Sequence, residues 1–100
     1  MLRISIDENT QAIVMKLEGR VAGPWAAEFE RVWVETVPLL AKRNLILDLR
    51  EVTYADAYGT RLLAEVYAHT RAKVLAGTVW THSLAEQISR RDAQSEYQEP

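Results

Sequence analysis

The chain has 100 residues and a formal net charge of −2, which bounds it to one small domain with a single core. Acidic and basic residues are interspersed and no basic stripe runs through them, so an electrostatic nucleic-acid binder is not expected. With no cysteine, a disulfide framework, a thiolate nucleophile and a zinc–thiolate site are all excluded.

The first segment, MLRISIDEN, lacks the apolar core of a signal peptide, and nowhere do about 18 apolar residues run together as a membrane span requires. A soluble, cytoplasmic protein without a membrane span is the expectation. From Met1 to Asp7 the residues Leu2, Ile4 and Ile6 alternate with Arg3, Ser5 and Asp7, the pattern of a half-buried strand. Asp7 to Gln11 is a polar turn. Ile13, Met15 and Leu17 then alternate against Val14, Lys16 and Glu18, giving a hairpin partner that ends near Gly19.

Pro24 suits a first helical position, because the N–H it lacks would be unpaired there anyway. Trp25, Phe29, Val32, Trp33 and Val37 follow at intervals of three and four, so this helix is expected to bury that aromatic side and to stop near Pro38. Leu45 to Leu49 is an apolar run with the length of a buried strand, whereas from Gly59 the apolar residues take helical spacing at Leu62, Leu63, Val66 and Tyr67. That helix is expected to reach about Lys73. Ala76 to Thr81 gives a weaker fourth strand, and Ser83 is the expected cap of a last helix carrying Leu84, Ala85 and Ile88.

The order is therefore ββαβαβα, an α/β domain over residues 1–91 with a mixed four-stranded sheet and helices mainly on one face. Residues 92–100 are polar and read as a disordered tail.

The period changes between Asn44 and Ala68, which sets a strand end beside a helix start, where open α/β sheets place their binding crevices. Asp56 stands at that join and has the chemistry of an N-cap. Catalytic constellations are thin. His69 has only Glu65 nearby as a metal-type ligand and His82 has none, whereas a catalytic zinc wants three protein ligands. Asp48 and Asp56 could pair for acid–base work, but no nucleophile or phosphate loop accompanies them. No catalytic residue, metal or cofactor is expected. Trp25 and Trp33 read as core, while an exposed Trp80 or Tyr58 would mark a contact surface.

Leu17-Glu18-Gly19-Arg20-Val21, and Leu47 to Asp56 followed by Ala57-Tyr58-Gly59, together with the ββαβαβα order, resemble the STAS domain family of bacterial anti-sigma factor antagonists. In its regulated members the corner reads Asp-Ser-Ser-Gly, and a partner that is both anti-sigma factor and kinase phosphorylates the second serine. Such a group adds roughly −1.5 to −2 charge at a helix N-terminus and switches docking without refolding the domain. Here Asp56 and Gly59 match, while Ala57 and Tyr58 replace the serines.

The resemblance implies a single-domain STAS-like fold and a non-enzymatic regulatory module. It would dock an anti-sigma factor or kinase-like ATPase through Asp56, Ala57, Tyr58, Gly59, Thr60 and Arg61, with Tyr58 as the exposed anchor. Thr60, with Thr53 before the loop as a second displaced acceptor, is the remaining candidate phosphosite. A homodimer stays open. The alternatives are a STAS-like domain that binds a nucleotide or lipid in the crevice, and a small enzyme using Asp48 and Asp56.

Overall fold

The alternation in the first twenty residues forms the expected hairpin: strand β1 (Leu2–Glu8) pairs antiparallel with β2 (Ala12–Val21), Ile4 opposite Leu17 and Ile6 opposite Met15. The Asn9 side chain makes the turn, its Oδ1 accepting the amides of Gln11 at 2.8 Å and Ala12 at 2.9 Å, the local bond that favours asparagine in such bends. In the computed structural model, residues 1–97 are described, with side chains to residue 90. Helix α1 (Gly23–Thr36), strand β3 (Asn44–Ala55), helix α2 (Ala57–Thr70), strand β4 (Lys73–Leu75) and helix α3 (Val79–Tyr97) follow. The sheet order is β1-β2-β3-β4, with β2, β3 and β4 parallel. The α/β class, the ββαβαβα order and the mixed four-stranded sheet therefore stand as read. Of the polar tail expected at 92–100, the backbone of 92–97 lies in α3, and 98–100 lie outside the described residues.

One face of the sheet makes the core. Ile13, Met15 and Leu17 of β2 and Leu45, Leu47 and Leu49 of β3 are buried in one cluster with Phe29 of α1, Leu62, Leu63 and Val66 of α2, and Leu84 and Ile88 of α3. Helices thus cover that face, and among the described residues the opposite face, carrying Arg3, Ser5, Lys16 and Glu18, has no such cover.

Several local expectations shift. The buried stripe of α1 is Ala26, Phe29, Trp33 and Thr36, so Trp25 leaves the core and stands 41% exposed. The stripe keeps its helical period and its centre at Phe29 and Trp33, while Ala26 and Thr36 replace Trp25 and Val37 at its ends, and Val32 and Val37 are partly buried against the core. Trp33 is buried as expected, yet its indole N–H meets no acceptor. Pro38 ends α1 in a short 3-10 turn, Val37–Leu39.

The fourth strand is three residues long and lies earlier than Ala76–Thr81. Arg71 takes the left-handed conformation (φ 52°) and closes α2 at Thr70, which frees Lys73–Leu75 to pair with Ile46–Asp48. Val79, Trp80 and Thr81 have strand propensity but open a helix instead, because Thr78 and Thr81 cap each other. Thr81 donates its amide to Thr78 Oγ1 at 3.0 Å, and the amides of Gly77 and Thr78 donate to Thr81 Oγ1 at 2.9 and 2.8 Å. Reciprocal capping of this kind satisfies amides that strand pairing would otherwise have to take. Ser83 is then inside the helix.

Candidate functional site

Strand β3 runs to Ala55 and α2 starts at Ala57, so the join between them is a single residue, Asp56. Its Oδ1 accepts the amide of Gly59 at 2.7 Å, which makes it the N-cap of α2. Its Oδ2 accepts the amide of Gly23 at 3.0 Å, at the start of α1. That second bond answers a deficiency in the sequence, since the residue in the cap position of α1 is Ala22, which has no side-chain acceptor. One carboxylate therefore ties two helix N-termini to the end of β3. The amide of Gly59 first, and that of Gly23 second, hold its pKa below the ordinary carboxylate value, as donors to the charged form do.

Gly59 has a different reason to be there. A Cβ on it would lie 1.9 Å from the carbonyl oxygen of Val21, far inside contact distance, so the first turn of α2 sits against the end of β2 only because this side chain is absent. The same carbonyl accepts the amide of Asp56 at 3.3 Å. Corner, strand end and both helix starts are thus locked by the Asp56 carboxylate together with these backbone contacts.

Around this frame the remaining residues divide. Ala57 and Arg61 are exposed, whereas Gly59 is buried and Thr60 is only 6% exposed. Tyr58 is half-buried: its hydroxyl donates to Glu30 Oε1 of α1 at 2.8 Å, and the Arg61 guanidinium lies 5.7 Å from its ring centre. The bond to Glu30 raises the phenol pKa above its usual value. Tyr58 is therefore a strut between α1 and α2 rather than a projecting side chain.

An exposed aromatic also borders this corner: Trp80, 41% exposed, at the start of α3. It borders a groove of about 290 Å³ with Asp56, Ala57, Thr60, Ser83 and Gln87. Beside the corner, at the ends of β2 and β3, the Arg20 guanidinium packs 4.8 Å from the ring centre of Tyr54. Trp80 carried a sequence signal as a candidate contact residue; Ser83, Gln87 and Glu30 carried none, because only the packing of α3 and α1 brings them to Asp56.

Asp48 is not part of the site. It lies eight residues up β3 from Asp56, roughly 25 Å along an extended chain, and is buried against Arg50. Nε and Nη2 of Arg50 donate to its two oxygens at 3.0 and 2.9 Å, and these bonds hold its pKa down. The two carboxylates do not meet. His69 packs 5.7 Å from the Trp33 ring and its Nδ1 lies 2.9 Å from the Glu65 carbonyl oxygen. His82 is exposed on α3. Among the described residues no three His, Cys, Asp or Glu side chains gather as a metal site, and no helix is long and apolar enough to cross a membrane. Comparison with protein-family models and with curated proteins gives no match to the chain.

Proposed function

We propose that this domain is a non-enzymatic docking module of the STAS kind, and that the corner Asp56 to Arg61 binds a regulatory protein such as an anti-sigma factor or kinase-like ATPase. The observation that carries the reading is the double cap by Asp56. It holds the start of α2 rigid beside an exposed Ala57, an exposed Arg61 and the partly exposed Trp80, a preorganised surface that loses little freedom on binding.

With Ala57 and Tyr58 in place of serines, the usual acceptor is gone. Thr60 is too buried to reach a kinase without opening the first turn of α2. The module would then bind constitutively rather than through a phosphorylation switch. Tyr58 acts by bracing α1 against α2, and Trp80 takes the role of anchor.

A binding comparison tests this. Trp80→Ala should weaken capture of the partner by about 2 kcal/mol or more if the indole is a hot spot, Ala57→Arg should weaken it by crowding the corner, and Lys42→Ala, on a distant loop, should not. Equal capture by all four proteins would remove the corner from the interface.

The groove beside Trp80 favours one further reading, a small ligand held between α2 and α3. Nucleotides, fatty acids or phosphorylated metabolites at 100 times their dissociation constant would stabilise the fold by about 2.7 kcal/mol in a thermal-shift assay. No shift with any of them leaves the protein partner.

A further inference from the structure

We propose that the free edge of β1 pairs with the β1 edge of a second copy, antiparallel about a two-fold axis at Ser5, joining two sheets into one of eight strands. This inference stands apart from the docking corner and does not depend on it.

Among the described residues the outer edge of β1 has no strand paired to it, and its charges are mixed in sign, Arg3 against Asp7 and Glu8. β1 is the outer strand of the sheet, seven residues long, and pairs with β2 without a register break. It carries none of the lysine, proline or bulge by which edge strands usually avoid self-pairing. Ile6 belongs to the helix-bearing face, opposite Met15, yet remains 44% exposed.

The backbone fixes which registers are allowed. Met1 O accepts the amide of Arg20 and Asn9 donates its amide to Ala12 O, so odd-numbered residues turn their polar backbone groups toward β2. Even-numbered residues then present theirs outward. A symmetric antiparallel pair must join even to even. The register centred on Ser5 does so, setting Leu2 opposite Glu8 and Ile4 opposite Ile6, each pair exchanging two hydrogen bonds.

Charge selects this register from its neighbours. Arg3 and Asp7 lie on the open face and make no ion pair among the described residues. Centred on Ser5, each Arg3 falls opposite the Asp7 of the other copy in a non-hydrogen-bonded pair, where side chains are closest. Centred on Ile4 or Ile6, Arg3 would face Ser5 or Asn9 and the carboxylate would go unanswered. On the other face the same choice sets the exposed Ile6 beside Ile4 of the second copy. The interface is isologous, with the same strand on both sides. The two intermolecular Arg3–Asp7 pairs are solvent-exposed and open to ionic screening, so the dimer should weaken with added salt; within each chain Glu18 stands across from Arg3.

The chain has no cysteine, so engineered thiols report the register cleanly. In the proposed pair the two Ser5 Cα atoms are about 4.5 Å apart, inside disulfide reach, while the two Arg3 Cα atoms are about 14 Å apart. Ser5→Cys should oxidise to a covalent dimer and Arg3→Cys should not. In sedimentation equilibrium the wild-type chain should show a monomer–dimer equilibrium. Arg3→Asp and Asp7→Arg should each raise the dissociation constant roughly tenfold or more. A 1:1 mixture of the two should recover dimer, because an all-acidic edge then meets an all-basic one. Circular dichroism of each variant establishes that it is folded. A wild-type chain monomeric to millimolar concentration overturns the proposal. So does a dimer indifferent to both charge variants, or equal cross-linking at positions 3 and 5.

Discussion

Substituting Gly59→Ala sets two effects of opposite sign against each other. Gly59 is the third residue of α2, and by helix propensity alone alanine there should stabilise the fold by about 1 kcal/mol. The geometry opposes this, because the added methyl would lie 1.9 Å from Val21 O and 2.9 Å from Val21 C. Those are backbone atoms at the buried end of β2 and cannot rotate away. The start of α2 must retreat by about 1 Å, lengthening the bonds from Asp56 to Gly59 and Gly23. Overpacking of this kind costs up to about 3 kcal/mol, so the net change is a loss of about 2 kcal/mol. In a domain of this size that lowers Tm by roughly 10 °C. Urea denaturation followed by circular dichroism measures it directly. A variant as stable as the wild type, or more stable, would refute the close approach that locks the corner.

The pKa of Asp56 is lowered in the fold by the amides of Gly59 and Gly23. Its contribution to stability is therefore complete above the unfolded value of about 3.9 and is lost as pH falls below it through the folded value. Asp56→Asn should flatten the fall in urea midpoint between pH 5 and pH 2, and an unchanged slope would count against the double cap. Glu30→Gln should bring the raised phenol pKa of Tyr58 back toward that of an ordinary tyrosine, read as ultraviolet difference absorbance against Tyr58→Phe. Trp33→Phe should cost less than about 1 kcal/mol despite removing a large buried side chain, since it also removes an indole N–H that has no acceptor; a loss of several kcal/mol would mean that this N–H is bonded.

The fold was legible where local pattern and tertiary need agree. Alternation at Ile13, Met15 and Leu17 and helical spacing at Leu62, Leu63 and Val66 mark the residues that are in fact buried. Legibility failed where a distant partner decides. Nothing near Ala22 tells that the Gly23 amide at the start of α1 is capped from Asp56, thirty-three residues farther along. The strand propensity of Val79-Trp80-Thr81 also hid the weaker signal of two threonines three residues apart that cap each other. Asp56 itself was visible as a cap, but a sequence window shows only one of its two helices. Tyr58 misled for a related reason: its exposure is set by Glu30 on another element.

The proposed docking surface for a regulatory protein is the Asp56 to Arg61 corner. Site-specific photo-cross-linking in the cells that make the protein tests it most directly, with the photoreactive residue placed in turn at Ala57, Trp80 and Lys42. One discrete protein adduct, of the anti-sigma or kinase-like ATPase type by mass spectrometry, is expected at positions 57 and 80 and none at 42. No adduct at the corner, or the same adducts at all three positions, would contradict it.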